Sequence, residues 1–257
     1  MKRRSDAKRA AATKRSAAAK RAVTTKRPAT TKRPAIAKRP VEARRAINGM
    51  RAADSKRVAD GKGPSEPVTP MKPEELLKLI AAARGDALCV PTMTTAPEWR
   101  DIAPDDESIS CVGFMGGASS LGLGLALANP DRRVVVFDGD GSLLMQLGSL
   151  ATIAGAGPRN LTHLLFKNGV YHTSGAQNIP GGFDVDFVLM AKGAGYRTAY
   201  AIHDLDEFKR RLPSMFRDEG PLFVELHTGL ADKTPMTARG GKSFHEQVEH
   251  LRKRLVG

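Results

Sequence analysis

The 257-residue chain carries 41 Lys or Arg against 27 Asp or Glu, a formal net charge of +14, with two cysteines and 5% aromatic residues. Two cysteines cannot staple a disulfide scaffold, and no apolar run is long enough for a membrane span, so no membrane is expected and a reducing cytoplasm is the expected compartment. The positive charge is concentrated: residues 1–63 hold 21 Lys or Arg against 4 Asp or Glu, and the remainder holds 20 against 23.

Residues 1–72 read as a basic tail and linker. Lys-Arg pairs begin at 2, 8, 14, 20, 26, 32 and 38, a period of six, with Ala, Thr, Ser, Val and Pro between them. Steps of six rotate by about 240° on a helix, so the pairs form no stripe. Pro28, Pro34 and Pro40 break the later part, and disorder is the expectation. The tail resembles the Ala-Lys-rich tails of linker-histone-like proteins, which implies non-specific, salt-sensitive contact with nucleic acid. It holds no aromatic residue for base stacking. A solubilising appendage, an organellar transit peptide, or a true start at Met50 or Met71 are the competing readings.

Residues 73–257 read as one α/β domain, a doubly wound parallel sheet with helices on both faces. Pro73, with Glu74 and Glu75 behind it, opens a helix to about Arg84. A strand follows at Ala87–Pro91, then a short helix near Glu98–Ile102 and a second strand at Ser108–Val112. Ala118–Ala128 is an apolar helix whose Gly122 and Gly124 suggest close packing. They are not a dinucleotide fingerprint, because they lie inside the helix and not in the turn before it. Strand 133–138, helix 143–155, strand 161–167, helix 187–194, strand 197–201, helix 205–216 and strand 222–227 continue the alternation. The loop 169–183 is long enough for an active-site lid. Phe244–Leu255, apolar at 244, 248, 251 and 255, is an amphipathic helix.

The chemistry is concentrated around Gly139-Asp140-Gly141-Ser142, with 26 residues between Gly141 and Asn168-Gly169. A carboxylate between a strand end and a helix start, and an amide at the end of the next strand, can meet at the carboxyl edge of a parallel sheet. Asp140, Asn168 and the carbonyl of Val170 would give Mg²⁺ three oxygens, phosphate oxygens and water supplying the rest. Gly139 and Gly141 leave room for a phosphate, and free amides of Gly141, Ser142 and Leu143 would face it.

These residues, with Gly113-Phe-Met-Gly-Gly-Ala-Ser-Ser120 and Asn168-Gly-Val-Tyr-His-Thr-Ser-Gly-Ala-Gln177, resemble phosphonopyruvate and sulfopyruvate decarboxylases, a family of thiamine-diphosphate enzymes, over roughly residues 74–230. The resemblance implies that Asp140, Asn168 and Val170 hold Mg²⁺ and that Gly139, Gly141, Ser142 and Tyr171 lie against the cofactor. Met115 would wedge thiamine diphosphate into its bent form. The family's pyrimidine-activating glutamate sits on a separate domain for which this chain has no room. A β-type subunit, completed by a pyrimidine-domain α subunit and acting on a small 2-oxo acid, is therefore implied. Two departures bear on the substrate. The stretch Pro91–Trp99 lacks the family's arginine, and Gly117 stands where the family has histidine. His172, a possible catalytic group, and Gln177 are the polar residues placed nearest the substrate.

Two alternatives use the same residues differently. Asp138 and Asp140 also fit the first motif of haloacid-dehalogenase-type phosphatases, with Asp138 as nucleophile and Asp140 as acid/base. That motif normally opens its fold, and Asp204 and Asp206 look like helix-capping charges, not a metal-holding pair. A nucleic-acid-associated protein whose α/β domain has lost catalysis is the other.

Overall fold

The computed structural model describes residues 70–104, 107–232 and 242–256. The basic repeat, and with it the expectation of disorder, lies outside the described residues.

Five strands form one parallel sheet: β1 (Leu88–Pro91), β2 (Val134–Gly139), β3 (Leu161–Lys167), β6 (Thr198–Ile202) and β7 (Leu222–His227), in the order β1-β2-β3-β7-β6. Register runs Leu88 to Val134, Val134 to Leu161 and Thr162 to Leu222. The strands are near-continuous Val, Leu and Phe runs because both faces are covered. Alternate side chains enter two separate cores. Val134, Val136, Leu161, Leu165 and Phe223 meet α3 (Ala118–Ala128), α5 (Gly148–Ala156), α6 (Phe187–Ala194) and α8 (Phe244–Val256). Val135, Phe137, Leu164, Phe166 and Val224 meet α1 (Pro73–Ala83), α2 (Thr95–Ile102) and α7 (Leu205–Arg217). The sheet is thus wound on both sides, as the alternation predicts. Gly122 shows why α3 needs glycine: a Cβ there would lie 2.3 Å from Val136 Cγ2. Gly124 faces open space and has no such role.

Three expectations change. Residues 108–112 form no strand, only isolated bridges from Ser108 to Cys89 and from Cys111 to Thr92. Ile109 and Cys111 donate to the carbonyls of Cys89 and Pro91. The amide that would return a bond to the carbonyl of Ile109 belongs to residue 91, a proline. The helix expected over 143–155 is broken in two, α4 (Asp140–Leu144) and α5. Met145 and Gln146 donate to Ser142 and Leu143, i→i−3 bonds that tighten the turn and redirect the chain. The loop 169–183 is not irregular throughout: Val170–Tyr171 (β4) pairs antiparallel with Gln177–Asn178 (β5). Asp204 caps α7, accepting from the amide of Glu207 at 2.8 Å, as its position suggests.

Candidate functional site

At the carboxyl ends of β1, β2 and β3 the chain leaves a cleft of about 370 Å³, open to solvent. This is where ligands bind in open parallel sheets. Met115, Gly139, Asp140, Gly141, Ser142, Asn168, Val170, Tyr171 and His172, nine residues singled out on sequence, all line it. Gln177 does not; it is exposed on β5.

Asp140 is 2% exposed, at the first position of α4. Its Oδ1 accepts from the amide of Gly141 at 2.8 Å, and its Oδ2 from the amides of Asn168 and Gly169 at 3.0 and 2.6 Å. Burial pushes its carboxyl above the usual carboxylate range, against the pull of those three amides and of Lys167. The amide of Gly141 is therefore engaged, and it is not one of the free donors expected to face an anion. The side-chain oxygen of Asn168 accepts from Val170 at 3.0 Å, which turns the chain two residues on. Asp140 Oδ1 and Asn168 Oδ1 each accept a single bond and keep a lone pair for a cation.

Gly141 serves a different need from the one its motif suggests. A Cβ there would meet Cε1 and Cδ1 of Tyr171 at 2.5 and 2.7 Å, so the glycine admits the tyrosine ring. At Gly139 the nearest atom to such a Cβ is Ser142 Cβ at 4.0 Å, and that side is open. The Ser142 hydroxyl accepts from the amide of Gly116 at 3.0 Å, which ties the Met115 turn to the Gly139–Ser142 turn. Gly116 has φ +82, the left-handed region that favours glycine.

His172 contributes an unpartnered group: its Nδ1 is buried with no hydrogen-bond partner. Thr92, Met93 and Thr94, which follow β1, also line the cleft. They belong to the stretch Pro91–Trp99 that the resemblance ties to the substrate, but none of the three is marked there as a site residue. Met93 Sδ accepts from the amide of Gly113 at 3.1 Å and so reaches the Met115 turn.

Asp138 is not at the site. It is fully buried, with Oδ2 3.3 Å from His163 Nε2, while His163 Nδ1 lies 3.2 Å from the Tyr196 hydroxyl. A carboxylate enclosed in the core cannot attack a phosphoryl group, which removes the phosphatase reading.

The fit to thiamine diphosphate and Mg²⁺ rests on an anionic and an amide oxygen side by side, an open face at Gly139 and the unpartnered His172 nitrogen in one cleft. Comparison with known proteins bears on the thiamine diphosphate. Residues 96–226 match the family model "Thiamine pyrophosphate enzyme, C-terminal TPP binding domain". Phosphonopyruvate decarboxylase of Streptomyces viridochromogenes is 39% identical over 158 residues, 61% of this chain and 39% of that protein. Sulfopyruvate decarboxylase subunit beta of Methanothermobacter thermautotrophicus is 42% identical over 123 residues, 47% of this chain and 63% of that subunit. The chain thus spans about two fifths of the first relative and under two thirds of the second. Among solved structures, a thiamine diphosphate-dependent 4-hydroxybenzoylformate decarboxylase from Rhodococcus jostii RHA1 shares the fold. Its TM-score is 0.53 at 21% identity, covering 67% of this chain and 35% of that one. The chain belongs to the thiamine pyrophosphate enzymes, and what it carries is their C-terminal TPP binding domain.

Proposed function

We propose that the chain is the thiamine-diphosphate- and Mg²⁺-binding subunit of a 2-oxo-acid decarboxylase of the phosphonopyruvate/sulfopyruvate type. The domain proper would begin at residue 73. The observation that carries this is the convergence of Met115, Asp140, Asn168 and Val170 on one cleft at the sheet's carboxyl edge. Asp140, Asn168 and the Val170 carbonyl would hold the metal, and Ser142 and Gly139 would border the diphosphate. Met115, next to Gly116, whose amide bonds to Ser142, would bend the cofactor. Bound thiamine diphosphate would supply the nucleophile and the electron sink that decarboxylation of a 2-oxo acid requires. Tyr171, over Gly141, closes one side of the cleft against water. His172 Nδ1 is the group on this chain suited to hold a proton near the substrate.

The relative named subunit beta supports a two-chain enzyme. We assign the pyrimidine-activating glutamate to a separate α subunit. Cys89 and Cys111, buried and not joined in a disulfide, fit a reducing compartment. Among the described residues no helix is long and apolar enough to cross a membrane, and we place the protein in the cytoplasm.

The basic segment adds a separable property. With 21 Lys or Arg in 63 residues it has the charge for non-specific binding to nucleic-acid phosphates. The log of the affinity of the full chain for duplex DNA should then fall linearly with the log of salt concentration, with a slope of about −0.9 for each phosphate neutralised.

Calorimetric titration of thiamine diphosphate into the full chain, with and without Mg²⁺ and with a co-expressed pyrimidine-domain chain, tests the enzyme reading. Binding should require Mg²⁺, disappear in Asp140→Ala and tighten with the partner, which should also enable CO₂ release from a 2-oxo acid. Binding indifferent to Mg²⁺ and to Asp140 would overturn it.

A further inference from the structure

A buried ion pair stands beside the cleft, and nothing in the proposed chemistry uses it. Lys167 ends β3, directly before Asn168, and is 3% exposed; Glu225 on β7 is 4% exposed. The ammonium lies 3.1 Å from Glu225 Oε1 and 5.6 Å from the centre of the Phe187 ring. It also donates to the carbonyl of Val185 at 2.7 Å. Glu225 Oε1 receives a second contact from His227 Nε2 at 2.7 Å, and the His203 ring lies tilted at 45° to His227, with ring centres 4.0 Å apart.

The position of the Val185 carbonyl gives the pair its meaning. Residues 168–186 leave the sheet at Asn168 and return at Asp186, the cap of α6. Between those points lie Tyr171, whose ring covers Gly141, and His172. Inside the loop, the amide of Ile179 bonds to the carbonyl of Gly169 at 3.1 Å and β4 pairs with β5, so the loop holds its own shape. Its two ends are joined through the Lys167 side chain. We propose that Lys167 and Glu225 are positioning residues, a clasp that closes the neck of this loop and seats Tyr171 and His172 over the Asp140 turn.

The choice of charges supports a positioning role. Replacing a buried ion pair by apolar groups of similar size is often neutral or stabilising, so the pair is a poor device for stability alone. An apolar side chain at 167 would fill the same space beside Phe187 yet could not hold the Val185 carbonyl. A carboxylate on β7 holds the ammonium where it also reaches the Val185 carbonyl.

The consequence for binding rests on the cofactor reading, so the test has one arm that does not. In the full chain, Lys167→Met/Glu225→Leu is compared with the parent for thermal unfolding, for chymotrypsin cleavage after Tyr171 without cofactor, and for Mg²⁺-dependent binding of thiamine diphosphate. The double variant should unfold at or above the parent's midpoint. It should nevertheless be cleaved about tenfold faster after Tyr171 and bind about tenfold more weakly. Parental cleavage and binding in a stable double variant overturn the clasp. So does early unfolding, which would make the pair a stability element. A parent that binds no thiamine diphosphate sinks the cofactor reading instead, and the cleavage arm still decides the clasp.

Discussion

Replacing Gly141 by alanine separates two explanations for the second glycine of the Gly-Asp-Gly turn. The added Cβ would lie 2.5 and 2.7 Å from two carbons of the Tyr171 ring and 3.1 Å from Ile179 Cγ2. Carbon pairs settle at about 3.5–4.0 Å, so the ring must withdraw by about 1 Å. Overpacking of this kind costs about 1–3 kcal/mol. Alanine recovers up to about 1 kcal/mol of helix propensity in α4, which leaves a net loss of about 0–2 kcal/mol. Tyr171 is half-buried and can move outward, so the protein should fold, with its loop displaced. A double-mutant cycle with Tyr171→Ala isolates the cause by denaturant unfolding of all four chains. With the ring gone, Gly141→Ala should become neutral or slightly stabilising, a coupling of at least about 1 kcal/mol. Additive effects, with coupling below about 0.5 kcal/mol, would refute the ring as the reason for the glycine. Cofactor titration of the same set then asks separately whether a phosphate also needs the space.

Three further outcomes are expected. Asp140 must lose its proton to bind a cation, and burial raises its carboxyl; Mg²⁺-dependent cofactor affinity should therefore weaken as the pH drops, beginning at a higher pH than an exposed aspartate with its ordinary value of about 3.9 would give, and a loss that begins no earlier than that would contradict this. Asp138→Ala leaves His163 Nε2 and the amide of Gly139 without their acceptor; it should lower stability by about 1–3 kcal/mol in urea unfolding while Mg²⁺-dependent binding persists, and loss of binding in a fully folded variant would put Asp138 back at the site. Burial first, then the Asp138 charge, pushes the Cys111 thiol up to about 11, and Cys89 is fully buried; neither should react with a thiol reagent near neutral pH until the chain unfolds, and rapid labelling of the native protein would show the core opening.

Elements whose signal is local were legible in the sequence. The apolar runs 161–167 and 222–227 could only be buried strands, and α3 begins and ends where its run of Ala, Leu and Gly does. The cleft was legible for the same reason, because its residues sit at strand ends fixed by those runs. What was hidden depends on a second segment. The failed strand at 108–112 is decided by a proline on its neighbour, and the break in α4–α5 by the Gly116 turn resting on Gln146. Asp138 and Asp140 look alike in sequence, yet the first still lies within β2 and faces His163, whereas the second lies past the strand's end, at the start of α4 and in the cleft. The partner of Lys167 lies 58 residues away on β7, beyond the reach of any spacing rule.

The broken ladder beside β1 also bears on how copies of this chain can associate. A sheet margin invites another strand when it presents an unbroken row of donors and acceptors. Here Pro91 interrupts that row from within. On the outer side, the amide of Ser110 is taken by the side chain of Gln247 at 2.7 Å, while Leu251 anchors the same C-terminal helix in the core. Strand addition is closed at this margin, so runaway β-aggregation has no template there, and any assembly on this side must be built from helix faces and loops.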